Sequence, residues 1–305
     1  MSKNSIFCGA TDMKSMLFFE VSIGIIANTA LLSFHALTFL LGHRPRPIDL
    51  TIGHLALIHI VMLLSESVLV TDNFVYQILG FDTTCASVIY LNRLMTDLSI
   101  ATTCLLSILQ AITVSPRGSC LAKFKQKSLH QNLCCFLFLW VFNMLINGRF
   151  LISAVATSNV TSLSVMFLTK SCSLLPVSPF LKYLFLSLMI FKYLACITLM
   201  ALSSVYMVIL LCRHKRQSKH LHRNRVSSKP SPEQRATWTI LLLMSFFIVM
   251  YCLDCVFHST SSVLWSHFAI NNGIQMLVGS CYATMSPFVL IICERQVTKC
   301  IRFME

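Results

Sequence analysis

Residues 183–211 read YLFLSLMIFKYLACITLMALSSVYMVILL, and 212–225 follow at once as CRHKRQSKHLHRNR. The first segment is a run of apolar residues interrupted by a single cation, Lys192. A helix needs about 20 such residues to cross roughly 30 Å of hydrocarbon. The second segment is a basic stop that no apolar phase accepts. A chain that enters and leaves hydrocarbon in this way is a membrane protein.

Working outward, the same pattern recurs near 17–41, 50–70, 87–114, 133–153, 183–211, 238–258 and 268–292, which predicts seven helices in one domain over 1–305, an all-α bundle. Asp, Glu, Lys and Arg make up 11% of the chain, against about 25% in a soluble domain, and its mean hydropathy is +0.74. An odd number of spans puts the two termini on opposite sides.

A net charge of +13 in a soluble protein would suggest a nucleic-acid partner, but the distribution of the charge excludes one. Of 24 Lys and Arg, 17 fall in the connections 42–49, 115–132 and 212–237 and in the C-terminal tail. Four fall on the other side (Lys3, Lys14, Lys170 and Lys182), and Arg93, Arg149 and Lys192 lie inside apolar runs. The positive-inside rule then predicts a cytoplasmic C-terminus and an extracellular N-terminus. The opening 16 residues are polar and the apolar run after them is too long for a cleavable signal, so the first span is expected to be its own insertion signal.

Most of the 14 cysteines, among them Cys104, Cys134, Cys135, Cys196, Cys252 and Cys255, fall within spans and read as small apolar packing residues. Cys85 and Cys172 would face the oxidising side and are expected to pair, with Cys8 as a competing partner. The one sequon, Asn159-Val160-Thr161, lies on that same side and predicts glycosylation at Asn159.

Several stretches narrow the class. They are Pro47-Ile48-Asp49-Leu50 leading into His54-Leu55-Ala56-Leu57, the run LSIATTCLLSILQAITVSPR over 98–117, and Ser231-Pro232-Glu233-Gln234-Arg235-Ala236-Thr237. To these are added Arg213-His214-Lys215 with His220-Leu221-His222, and Ser286-Pro287-Phe288 near the end. With them the chain resembles the vomeronasal type-1 receptors. The resemblance implies a rhodopsin-like G-protein-coupled receptor in the plasma membrane, responding to small pheromones or semiochemicals and signalling through a Gi/Go-class protein.

Against the wider rhodopsin-like pattern, Leu109-Gln110-Ala111 replaces the Asp-Arg-Tyr triplet, His59 stands where a sodium-binding Asp would be, and Ser286-Pro287 replaces Asn-Pro. Against its own family, Asp97 occupies a place expected for glycine and Ala283 one expected for proline. A bitter-taste-type receptor is the nearer alternative and a small transporter or channel the more distant one. The Cys85 and Cys172 placement and the 231–237 motif discriminate against the first, and 9 Gly with no visible internal repeat against the second.

Ionisable residues inside spans cost roughly 2.5–3.5 kcal/mol each on insertion scales, so their clustering calls for a physical reason. Glu66, Arg93, Asp97, Arg149, Lys192 and Asp254 all fall in the outer halves of their spans under the charge-derived orientation. Tyr90, Asn92, Arg93 and Asp97 in the third span, with Glu66, Lys192 and Asp254, are the candidate ligand-binding residues. An Arg93–Asp97 pair four residues apart is one way to neutralise two of them, and snorkelling to head groups is open to Arg149 and Lys192. His35, His54 and His59 read as hydrogen-bonded bundle histidines and Asn28 as an interhelical link. Arg117, Arg213, Lys215, Arg216, Lys219 and Arg235 are the candidate G-protein-facing residues, equally suited to anionic lipids. No phosphate loop or nucleophile elbow is present, His214, His220 and His222 read as part of a solvated basic helix extension and Cys252 and Cys255 as packing, so no enzyme activity, cofactor or metal is expected.

Overall fold

The computed structural model describes residues 3–41, 46–70, 82–116, 129–156, 166–167, 172–174 and 178–221, and helical residues at 245–246, 248–250, 252–253, 277 and 279–291. Helix α1 runs Lys3–Leu40, α2 Pro47–Val70, α3 Asp82–Val114, α4 Leu129–Asn147, α5 Arg149–Ser153 and α6 Pro179–Leu221. After the helical residues at 245–253, a further helix, labelled α7, covers Gly279–Ile291. The first five spans are thus all helical, and the last two are helical wherever they are described.

The helix ends show why local chemistry overrides a hydropathy boundary. Pro47 opens α2, where its missing N–H costs nothing, and Asp49 two residues on accepts from the Arg46 backbone N–H at 3.2 Å and from Arg46 Nε at 3.1 Å. α1 begins well before the apolar run, because nothing in 3–16 interrupts helix and no proline is present there. α6 continues through Arg213, Lys215, Arg216 and Lys219 for 43 residues, or about 64 Å at 1.5 Å per residue, so its basic end projects beyond any bilayer core.

The fourth span is not one helix. It divides at Gly148, where the chain turns and α5 begins, with Leu151 N–H donating to Gly148 O at 3.2 Å. After α5 comes an antiparallel sheet of three short strands, β1 Ala154–Ala156, β2 Met166–Phe167 and β3 Cys172–Leu174, in the order β1-β3-β2. In its register Ala156 lies opposite Cys172 and Phe167 opposite Ser173. The all-α architecture therefore carries one small β addition in the connection between α5 and α6.

α3 is the most enclosed of the long helices and packs against α2, α4, α5, α6 and β1. Three apolar layers form along it. Near the sheet, Leu69, Ala86, Ile89 and Phe150 pack together; in the middle, Leu94, Met95 and Leu98 meet Leu17 and Val21 of α1, Met62 and Leu63 of α2, and Ala283 of α7; beyond, Ile100, Cys104 and Leu106 meet Leu31, Leu55, Met200 and Tyr282. The outside is equally apolar: Phe19, Ile26, Leu137, Phe138, Leu145, Phe191 and Leu202 are exposed. Water would not tolerate such a surface, whereas lipid matches it.

α1 approaches α2 and α7 closely at Gly24. A Cβ there would lie 2.7 Å from Leu63 Cδ1 and would also collide with the Thr284 hydroxyl, so any larger residue would have to displace both side chains. One turn on, Asn28 Nδ2 donates to Gly24 O at 2.8 Å and to Ala283 O of α7 at 2.9 Å, which is the interhelical link expected of it.

Candidate ligand site near the sheet end of the bundle

Asp97 is buried on α3 and sits at the centre of a polar knot. Its Oδ2 meets Lys192 Nζ of α6 at 2.5 Å and accepts from Asn147 Nδ2 of α4 at 2.7 Å. Its Oδ1 accepts from the Tyr193 hydroxyl at 2.8 Å. Lys192 also donates to Asn143 Oδ1 at 3.4 Å and lies 5.0 Å from the Tyr193 ring centroid. A buried ion pair is tolerable only when its remaining hydrogen-bonding capacity is satisfied, and these donors satisfy it.

The pairing therefore differs from the helical-face expectation. Arg93 is four residues from Asp97, but the carboxylate is taken by Lys192, which also means that Lys192 does not snorkel to the surface. Arg93 is half-buried and neighbours Arg149, the residue that opens α5. The Arg149 guanidinium is 4.6 Å from the Phe150 ring and 5.3 Å from the Phe185 ring, with Nη2 on Met189 Sδ at 2.8 Å.

The other candidates separate. Asn92 Nδ2 donates to Ser65 Oγ of α2 at 3.2 Å, a tie between helices. Glu66 is buried and lies against Gly279 of α7, away from the ion pair. Tyr90 is half-buried against the two apolar layers nearest the sheet. Asp254 lies outside the described residues, as do Asn159, Arg117 and Arg235. Cys85 falls in the first turn of α3 and Cys172 opens β3, but their side chains, like those of Lys215, Arg216 and Lys219, are outside what is described; Arg213 is exposed. Cys104, Cys134, Cys135, Cys196, Cys212, Cys252 and Cys281 are free thiols.

Three members of the knot were not singled out from sequence: Asn143, Asn147 and Tyr193. Asn143 and Asn147 did carry a signal, since two amides four residues apart in an apolar helix must share a buried face.

A second polar hub lies deeper. The His59 ring bonds Ser99 Oγ of α3 through Nε2 at 2.8 Å and Ser286 Oγ of α7 through Nδ1 at 2.9 Å. Ser99 donates to the Tyr282 hydroxyl at 3.2 Å, and that hydroxyl also bonds Thr103 at 2.8 Å. His54 accepts from Trp140 Nε1 at 3.0 Å and stacks on Phe136. Both histidines are hydrogen-bonded bundle residues. Among the described residues no three His, Cys, Asp or Glu side chains group as a metal site.

Lipid-compatible outer faces around an inner seam of polar groups that link the helices define a polytopic helical membrane protein. The sequence matches the vomeronasal organ pheromone receptor family over residues 11–303. It is 48% identical to vomeronasal type-1 receptor 90 of Rattus norvegicus over 98% of this chain and 96% of that one. Against vomeronasal type-1 receptors 53 and 51 of Mus musculus the identity is 46% and 43%, covering 100% and 99% of this chain and 98% and 94% of theirs. The chain belongs to the vomeronasal type-1 receptor family, seven-helix G-protein-coupled receptors that bind small ligands and couple to G proteins, and it is not an enzyme.

Proposed function

We propose that this receptor takes a small organic semiochemical into the sheet end of its bundle and activates a Gi/Go-class protein at the opposite end. The observation that carries the reading is the Asp97–Lys192 pair: a hydrogen-bonded ion pair inside the bundle forms a polar floor on which α3, α4 and α6 converge. Tyr90 and Arg93, half-buried and one to two turns nearer the sheet, are the ligand-facing groups on α3. Asn92, Glu66 and Asp254 complete the candidate set, Asn92 by fixing α3 against α2. The basic end of α6, with Arg213, Lys215, Arg216 and Lys219, and the connections carrying Arg117 and Arg235, face the G protein and the anionic inner leaflet.

The test is inhibition of adenylate cyclase in cells expressing the chain with a Gi/Go-class protein, screened against pooled small organic molecules. A pertussis-toxin-sensitive response that falls at least tenfold in potency in Arg93→Ala, at matched surface expression, is the expected result. A response insensitive to the toxin refutes the G-protein class, and one unaffected by Arg93→Ala refutes the placement of the site.

The orientation is part of the same reading: N-terminus and sheet outside, C-terminus in the cytoplasm of a plasma-membrane receptor. It is supported by the charge asymmetry of the connections. Glycosidase should shift the mobility of the expressed protein, and Asn159→Gln should abolish the shift. Non-reduced digests should yield a linked Cys85–Cys172 peptide, since β1 lies against α3 and β3 pairs with β1. Free thiol at both positions overturns the tether.

A further inference from the structure

Gln110 breaks a pattern on α3. From Ser99 to Ser115 the hydroxyl side chains of the helix are all hydrogen-bonded: Ser99 and Thr103 to Tyr282, Thr102 to His54, Ser107 to Ser203, Thr113 to Leu109 O, and Ser115 to Tyr206 at 2.5 Å. Gln110 is only 6% exposed, and its Oε1 is buried with no hydrogen-bond partner. An amide oxygen taken out of water without a donor loses its hydration and gains nothing in return, so its presence calls for a reason outside the closed bundle.

The position of Gln110 tells from which side a donor arrives. Residues 99, 103, 106 and 110 share one face of α3 by helical spacing, and that face meets α7: Ser99 and Thr103 bond Tyr282, and Leu106 packs in one layer with Leu290. Gln110 lies one turn beyond that layer, four residues or about 6 Å short of Val114, where α3 ends. The adjoining face is shut against α6 by the Ser107 and Ser115 bonds and by Ala111 packing with Met207. A donor therefore enters from the end of the bundle that carries the basic extension of α6.

That extension also restricts the chemistry of the donor. Arg213 is exposed there, and Lys215, Arg216 and Lys219 follow it along α6, so an incoming cation is repelled and an acidic segment attracted. The bond to the oxygen is then left to an uncharged N–H or O–H. In the wider rhodopsin-like pattern the triplet at 109–111 carries an arginine, which only donates, whereas Gln110 offers an acceptor. We infer that Gln110 is a docking residue for the G protein: its side-chain oxygen accepts a hydrogen bond from an uncharged donor on an acidic segment of that protein, inserted on the α7 side of α3. The inference rests on the receptor reading for the partner and for the end at which it binds.

The test uses the full chain in phosphatidylcholine nanodiscs, titrated with a purified Gi/Go-class heterotrimer from which nucleotide has been removed. Unfolding temperature is read with and without the heterotrimer. Gln110→Met keeps the length of the side chain and removes the oxygen. Alone, this variant is expected to unfold at a higher temperature than wild type, because the unmet acceptor is gone; its affinity for the heterotrimer should fall about five- to tenfold. A packing role would move both readouts down together. Gln110→Asn keeps an amide oxygen on a shorter stem and should recover part of the affinity. Raising salt from about 50 to 200 mM should weaken wild type and Gln110→Met by the same factor, since the acidic attraction acts apart from the bond.

A Gln110→Met receptor less stable than wild type overturns the inference, because the oxygen is then already satisfied within the chain or by a water. Equal heterotrimer affinity in wild type and Gln110→Met sinks this inference alone, and binding indifferent to salt removes the acidic partner from it. If wild type binds a heterotrimer of another class and not the Gi/Go one, the G-protein class of the receptor reading fails alone. Binding of none sinks the receptor reading, and this inference with it.

Discussion

Asp97→Asn is expected to destabilise the receptor by about 3–5 kcal/mol, the cost of leaving a buried charge without its partner. Lys192 would keep the long bond to Asn143, the Tyr193 ring and at best a neutral amide oxygen at position 97, none of which neutralises an ammonium in this surrounding. Lys192→Met is expected to cost a similar amount for the mirror reason, because the Asp97 carboxylate would hold its amide and phenol donors but no cation. The double variant Asp97→Asn/Lys192→Met, which removes both charges, should recover most of the loss, since apolar or neutral replacement of a whole buried pair is often close to neutral. Thermal unfolding of the purified protein in detergent checks all three. Additive losses in the double variant would show that the two side chains do not act as a pair.

The same pair marks where sequence stops being legible. Helical period says which residues of one helix share a face, and on that basis Arg93 and Asp97 are neighbours. It does not say how far α6 is rotated about its own axis, and that rotation is what presents Lys192 to Asp97. Spans, by contrast, were readable because every stretch that crosses hydrocarbon must be apolar and long, whatever its neighbours do. Their ends were less so: α1 and α6 outrun their apolar cores because helix needs only its own hydrogen bonds, and the fourth span divides at Gly148, where the loss of backbone freedom on forming helix is greatest. The strands, two or three residues each, are too short for an alternating pattern to register. His54 and His59 were legible in kind, since a buried imidazole gains from bonds at its nitrogens, but their partners were not, and the buried Nε2 of His35 makes no hydrogen bond.

His59→Leu is expected to lower stability by about 1–3 kcal/mol, less than the ion-pair variants, and the comparison tests what holds α2, α3 and α7 together. Leucine fills nearly the same space, so the loss is not a cavity but two bonds, to Ser99 and to Ser286, each worth of order 1 kcal/mol inside a helical membrane bundle. A neutral imidazole has one donor and one acceptor, so one serine gives a proton and the other receives one. His59→Gln keeps one donor and one acceptor and should therefore rank between wild type and His59→Leu. His59→Asp should rank below His59→Leu, because the hydroxyls of Ser99 and Ser286 can solvate a carboxylate but cannot neutralise it, and desolvating a charge costs more than losing two neutral bonds. The expected order of unfolding temperatures is wild type, Gln, Leu, Asp. A His59→Asp protein as stable as wild type, and stabilised further by sodium, would mean that the hub still accepts the cation that an aspartate holds in the wider rhodopsin-like pattern. The histidine would then have displaced a site that the surrounding helices still retain.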